Sequence, residues 1–298
     1  MPDELFTHAL EKLQAARESP CVPCKICGGE AYPFDLLDFH KSCHSATYPL
    51  GLSAIPVIYR QCQQCQFLFT DFFDDFTAGQ WQRHVYNEEY AKADPDYFVN
   101  RPHSNVRFLS TFLAGLKPAL VCLDYGGGNG LTAELMSRAG WTFDCLDPFG
   151  KTSISPDRLR RYNFCSAIEV FEHSPDPAGS LSAIVEKSTS GQLMILIATE
   201  LTDGVVSNST RLSWWYAAPR NGHVSLYSRK SLQILGSMFG LDCSTIRGGP
   251  ILLTRGFGQR QIRLMLLRDK VVRQWIESKI LGRLRRFESK RPDPLPTP

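Results

Sequence analysis

Cys122-Leu-Asp124-Tyr-Gly126-Gly-Gly128-Asn-Gly130 is the stretch that decides the fold. It continues an apolar run from Ala119 to Leu123 and breaks it with an acid and then with glycines, the pattern of a strand that turns tightly into a helix. Backbone without side chains lets a ligand approach closely, and the N-terminus of the following helix presents free amides. Such a loop reads as a nucleotide-type ligand site in an α/β fold. Asp124 narrows the ligand, because a carboxylate inside the loop repels a pyrophosphate but suits an amine or a sulfonium. The loop therefore points away from NAD and toward S-adenosylmethionine.

A second strand, Trp141 to Pro148, ends in Asp147, seventeen residues after Gly130. A carboxylate at that place can accept both hydroxyls of a ribose. With these positions in place, the chain resembles the class I S-adenosylmethionine-dependent methyltransferases, whose first motif has the form acid-x-Gly-x-Gly-x-Gly followed by an acidic end of the second strand. Two further stretches fit that family. Phe164 to Pro177 carries Glu169-Val-Phe-Glu172-His173 before a proline-bearing turn, like the fourth-strand segment, and Gly222-His223-Val-Ser-Leu-Tyr227-Ser228 precedes a helical pattern from Arg229 to Phe239. The resemblance covers roughly residues 100 to 257. It implies S-adenosyl-L-methionine as cofactor, held by Asp124, Gly126, Gly128, Gly130, Asp147 and Glu169.

Strands are expected near 119–124, 142–147, 163–169, 192–199, 242–247 and 251–254, separated by helical patterns. This order predicts an α/β fold with a doubly wound, mostly parallel sheet, a Rossmann-like methyltransferase core. Only fifteen residues separate Asp147 from Asn163, too few for another strand and helix, so the third strand unit is expected to be reduced or missing. In the family an acid after that strand contacts the adenine, and its counterpart here is not evident.

Six domains or segments are expected: an N-terminal helix over 1–20, a zinc-ribbon-like domain over 21–76, an aromatic helical linker or lid over 77–116, the core over 117–257, a basic amphipathic helix over 258–288 and a disordered proline-rich tail over 289–298. Residues 21–70 hold six of the ten cysteines. Cys24-Lys-Ile-Cys27-Gly and Cys62-Gln-Gln-Cys65 form two knuckles, the arrangement by which four thiolates reach one tetrahedral Zn²⁺. Four cysteines close the coordination shell, so this zinc would be structural. Cys21 is an alternative to Cys24, and His40, Cys43 and His44 could supplement the second knuckle. Few apolar stretches accompany these cysteines, so this segment is expected to need the metal to fold. Zinc knuckles ahead of such a core also resemble the sugar C-methyltransferases, which carry a His-x-x-Tyr-x-Ser run after the fifth strand. Here the frame differs, with four residues from His223 to Tyr227.

Methyl transfer from a sulfonium is an in-line displacement, so the protein positions two reactants and removes a proton. His223, after the turn signal Asn221-Gly222, is the first candidate base, and His173 beside Glu169 and Glu172 is the second. Tyr86, Tyr90, Tyr97 and His84 are candidate acceptor contacts or plain packing, Trp214 to Tyr216 a candidate pocket wall. Arg220 could pair with a phosphate or carboxylate, which would suit a nucleotide-linked sugar. The expected activity is methylation of a small-molecule or carbohydrate-linked acceptor. Open alternatives are a protein, lipid or quinone-like acceptor and a non-catalytic binding module.

Residues 255–298 contain twelve Lys or Arg against four acids, leaving the rest of the chain at −5 within a net charge of +3. Nucleic-acid binding is not expected from an acidic body without a recognisable module. The basic helix could touch anionic lipid, though a solvated face packed on the domain explains it as well. No apolar run reaches membrane-spanning length, and the cytoplasm is the expected compartment.

Overall fold

The structure is a computed structural model that describes residues 2–43, 48–94, 100–113, 116, 119–150, 152–159, 161–245, 250–258, 260 and 262. His44, Tyr97, Phe98, nearly all of the expected basic helix and the whole proline-rich tail lie outside the described residues. Among the described residues, no helix is long and apolar enough to cross a membrane.

The chain begins with α1 (Pro2–Glu18), which ends before Pro20 as its sequence requires. Strands β1 (Val22–Pro23), β2 (Glu30–Asp38), β3 (Pro56–Cys62) and β4 (Leu68–Phe69) then form an antiparallel sheet. Its interior differs from expectation. Phe34, Phe39, Val57, Tyr59, Phe72 and Phe73 are buried together with Leu5 and Ala9 of α1 and with Leu212, Tyr216 and Val224 from far downstream. The segment that looked too poor in apolar residues draws its core from three parts of the chain, which local composition does not reveal. The aromatic linker forms α2 (Ala78–His84), closed by a Thr77/Gln80 capping box, then α3 (Tyr90–Ala93) and α4 (Asn100–Phe112). Trp81 stacks on Phe73 with ring centres 5.1 Å apart. The linker aromatics are therefore largely packing.

The core strands appear where the sequence places them: β5 (Val121–Tyr125), β6 (Thr142–Leu146), β7 (Phe164–Ile168) and β8 (Leu193–Ala198). Helices α5 (Leu131–Arg138) and α6 (Pro177–Lys187) follow β5 and β7. The chain then adds β9 (Ser225–Leu226), α7 (Arg229–Met238), β10 (Asp242–Thr245) and β11 (Ile251–Arg255). The main sheet has the order β10-β11-β8-β7-β5-β6, with β5 parallel to both β6 and β7, β7 parallel to β8, and β11 and β10 antiparallel. Alternate residues face opposite layers, as a strand's two-residue period requires. Leu123, Cys165 and Ile195 pack toward α6 and α7, whereas Cys122, Phe164 and Met194 pack toward α4 and α5. The sheet is thus doubly wound and mixed.

Among the described residues, no strand joins β6 at the sheet edge from the segment that follows it, apart from a single bridge between Cys145 and Ser153. The short connection is tied down instead by the buried Asp144 carboxylate, which accepts from the Tyr162 hydroxyl at 2.7 Å and the Arg158 guanidinium at 2.7 Å. The missing third unit agrees with the fifteen-residue spacing.

One pairing has no sequence signal. Strand β9 leaves the main sheet and pairs with β4, Leu68 opposite Leu226 and Phe69 opposite Ser225. The Ser228 hydroxyl also donates to the Cys65 carbonyl at 2.7 Å. Residues 21–76 and 117–257 therefore share a sheet.

Candidate functional site

The strand order reverses between β6 and β7 around β5, and the crevice outside the carboxyl ends of these strands is where α/β sheets bind ligands. A cavity lies there, lined by Asp124, Gly126, Gly128, Thr132 and Glu169, with Arg101 of α4 as its roof. Gly126 has φ +73°, and a Cβ on it would lie 2.5 Å from both methyls of Val170. Gly127 matches no glycine of the family's first motif, yet a Cβ there would lie 2.6 Å from Asp124 Oδ2 and 2.8 Å from Cys145 Sγ. Its need for a bare backbone comes from packing against β6, which a motif does not encode. Gly130 occupies the N-cap of α5 in the left-handed region at φ +77°.

Asp124 is buried at 5 % exposure and accepts from the Ser166 hydroxyl at 2.7 Å. Burial pushes its carboxyl up to about 7, with the hydrogen bond from Ser166 opposing. Asp147 stands beside the loop and accepts backbone amides from Gly128 at 2.7 Å and Phe149 at 2.8 Å. A carboxylate has roughly four acceptor positions, so capacity for ribose hydroxyls remains. Glu169 follows β7 in a left-handed conformation, φ +55°, and faces the cavity. Arg101 makes a two-oxygen pair with Asp94, 2.8 Å to each. Neither Arg101 nor Ser166 stood out in the sequence, since both gain meaning only from the loop they face.

A second group of side chains lies next to this cavity. Acceptor oxygens and ring nitrogens of Glu172, His173 and His223 lie within 4.8 Å of one another, and the two imidazole centres are 4.9 Å apart. His223, expected on a loop after the Asn221-Gly222 turn, lies on such a loop and is 4 % exposed. Its loop is fixed by the hydrogen bond from the Tyr59 hydroxyl to the His223 carbonyl at 2.6 Å and by the pairing of β9 with β4. The Val224 amide donates to the Glu172 carbonyl at 2.8 Å, which binds the two histidine segments together. His223 Nδ1 lies 2.7 Å from the Tyr216 carbonyl oxygen, which can only accept. Nδ1 therefore carries the hydrogen, and Nε2 keeps the lone pair. Burial first, and then the neighbouring His173, lower His223 to about 3, while burial lowers His173 to about 4. Both rings are neutral at physiological pH and can accept a proton.

Arg220 does not face an acceptor. It is 1 % exposed and donates to the Val85 carbonyl at 2.6 Å and Asn87 Oδ1 at 2.7 Å, closing the C-terminus of α2. A buried guanidinium engaged with a backbone carbonyl and a side-chain amide oxygen is structural, and the reading of Arg220 as a phosphate or carboxylate contact is corrected. His40 also spends a ring nitrogen elsewhere, on the Gly51 carbonyl at 3.0 Å.

The four knuckle cysteines converge. Cys24 Sγ is 3.5 Å from Cys65 Sγ and Cys27 Sγ 3.4 Å from Cys62 Sγ. Backbone amides of Ile26 and Gln64 donate to Cys24 and Cys62 sulfur at 3.4 Å, which favours thiolates. These donors suit a tetrahedral zinc ion.

A sequence model described as a methyltransferase domain matches residues 97–245. No curated protein sequence matches the chain. Among solved structures, the plantazolicin methyltransferase BpumL in complex with SAH is similar at 16 % identity over 67 % of this chain and 89 % of that chain, TM-score 0.42. Magnesium protoporphyrin IX methyltransferase from Synechocystis PCC 6803 with bound SAM is similar at 14 % identity over 62 % and 92 %, TM-score 0.34. A possible histamine N-methyltransferase from Thermotoga maritima is similar at 12 % identity over 58 % and 98 %, TM-score 0.39. The matched half of the chain contains the glycine loop, both acidic strand ends and both histidines, so the chain belongs to the methyltransferase-domain family and is an S-adenosylmethionine-dependent methyltransferase.

Proposed function

We propose that the chain transfers a methyl group from S-adenosylmethionine, held over Gly126, Gly128 and Gly130, to a small-molecule or carbohydrate-linked acceptor, with His223 as general base. The observation that carries this reading is the Nδ1 hydrogen bond of His223 to the Tyr216 carbonyl, which leaves Nε2 as a proton acceptor in a buried cluster beside the donor cavity. Asp124 and Glu169 give that cavity negative character suited to the donor's cationic groups, and Asp147, which holds the Gly128 amide of the loop, is the proposed ribose-binding acid. His173 is the second candidate base, its Nδ1 3.4 Å from the Tyr86 hydroxyl. A buried base that is neutral and weak suits an acceptor whose proton is already acidic or is lost as the new bond forms. With Arg220 occupied, nothing in the cluster favours a nucleotide-linked sugar over other small acceptors.

Cys24, Cys27, Cys62 and Cys65 would hold a structural zinc ion, joining the β1–β2 turn to the β3–β4 turn, from which β4 runs on to pair with β9. Four thiolates leave no coordination position for a substrate. The assignment is tested by calorimetry with S-adenosylmethionine and by incubation of the protein with labelled donor and cell lysate. Binding that weakens in Asp147→Ala, and a labelled product that disappears in His223→Gln while donor binding persists, are expected. Unchanged binding in Asp147→Ala, or unchanged product in His223→Gln, would refute the respective roles.

A further inference from the structure

Tyr216 is 1 % exposed and touches both halves of the site. Its hydroxyl oxygen lies 2.5 Å from Glu172 Oε1, 3.1 Å from Glu169 Oε2 and 3.2 Å from Thr199 Oγ1. Its carbonyl accepts from His223 Nδ1, and its ring lies 4.3 Å from the His223 ring. We propose that Tyr216 is a positioning residue that couples the donor cavity to the acid–base cluster, its hydroxyl bridging Glu169 and Glu172 while its carbonyl holds His223. The inference rests on the donor and base assignments above and adds the connection between them.

A phenol has one hydrogen to donate, and here the Glu169 and Glu172 carboxyl oxygens compete for it. Two carboxylates around one buried hydroxyl cannot both ionise at low cost, because like charges at this range disfavour one another. Glu172 is fully buried, and its Oε2 has no hydrogen-bond partner. Burial, and then the charge of Glu169, push the Glu172 carboxyl well up. Glu169 is the member of the set that opens on the donor cavity. The other ionisable groups around it are His173 from the turn after β7, His223 from the loop before β9, Arg101 paired with Asp94 at α4, and Cys43, whose sulfur is 3.6 Å from His223 Nδ1.

S-adenosylmethionine and S-adenosylhomocysteine share amine, carboxylate, ribose and adenine and differ in the sulfonium charge. Arrival of that cation opposes protonation of the bridged set, so the charged donor releases a fraction of a proton that its neutral product does not. The ratio of dissociation constants, product over donor, then rises with pH. A difference of about one third of a proton changes this ratio about fivefold between pH 6 and 8, and Asp124 contributes less because both ligands carry the amine.

The experiment is calorimetric titration of the full chain with each ligand at pH 6, 7 and 8, for the wild type, Tyr216→Phe and Glu172→Gln. The wild-type ratio is expected to rise about fivefold and both variants to lose most of that rise, keeping only the smaller part due to Asp124. Tyr216→Phe keeps the ring and the carbonyl, and Glu172→Gln carries the test should Tyr216→Phe fail to fold. A flat wild-type ratio, or a wild-type slope retained in the variants, overturns the coupling. A wild type that binds neither ligand overturns the donor assignment itself, which is a distinguishable result.

Discussion

Replacing Gly126 by alanine tests the glycine loop through two separable costs. The residue sits at φ +73°, where an L side chain costs about 1–2 kcal/mol through its own backbone. The added methyl would also lie 2.5 Å from both Val170 methyls, an overlap that forces a shift costing about 1–3 kcal/mol. Together these give about 2–5 kcal/mol, or a fall in melting temperature on the order of 10 °C. Val170→Ala alone removes two partly buried methyls and costs about 1 kcal/mol. In the double variant the two 2.5 Å overlaps are removed, leaving a 3.1 Å approach to the Val170 Cβ, while the backbone cost stays, so Gly126→Ala/Val170→Ala should be more stable than the sum of singles by about 1–3 kcal/mol.

Denaturant melts of the four proteins measure this coupling directly, and donor titration of each completes the set. Saturating donor at 100 times its dissociation constant stabilises by about 2.7 kcal/mol. Gly126→Ala should lose most of that gain, because the Gly126 amide donates to the Leu146 carbonyl at 2.8 Å and any shift moves the whole loop. Additive single and double variants would refute the steric account. A Gly126→Ala protein as stable as wild type would refute both costs at once.

Two further outcomes follow from the site. Asp124 has its carboxyl raised to about 7 by burial, so in the free protein it costs stability as pH rises from the usual carboxylate range toward 7. A cationic ligand prefers the ionised form, so the thermal stabilisation given by S-adenosylmethionine should grow between pH 6 and 8 and should be smaller and less steep in Asp124→Asn, where only the bridged set still titrates. For the metal, purified protein should contain one zinc per chain, and Cys62→Ser should lose it. Hydrogen exchange after chelation should then show lost protection in β3 and β4 and also in β9, whereas protection lost only from β1–β4 would contradict the shared sheet.

The placement of the proposed donor residues was legible because its determinants are local. Asp124, Gly126 and Asp147 each sit at a strand end, and fifteen residues between Asp147 and Asn163 leave no room for another crossover. The acid–base half was legible only as residue types. His173 and His223 stood out, but their mutual approach depends on β9, a two-residue strand whose partner lies about 157 positions earlier. No local pattern encodes that pairing. Arg220 was misread for a related reason: a guanidinium in a loop looks available until the Val85 carbonyl that occupies it is seen. The core of residues 21–76 was underestimated because Leu212, Tyr216 and Val224 complete it from a distance.

These misses share one cause, and it bears on how the enzyme is built. Two independent frames converge on His223. From the core side, Val224 holds the Glu172 carbonyl and Tyr216 bridges Glu172 to Glu169 at the donor cavity. From the N-terminal side, Tyr59 of β3 donates to the His223 carbonyl, and β4 pairs with the strand that follows. A side chain is held to the tolerance that catalysis needs only when its own surroundings are locked. Neither frame alone does this, since without β3 and β4 the loop from Ala218 to Ser225 would lose its outer ladder and the cover over Leu226 and Tyr227. Residues 21–76 therefore form one wall around the proposed base, and a core excised at residue 100 is expected to keep the glycine loop while losing the geometry of His223.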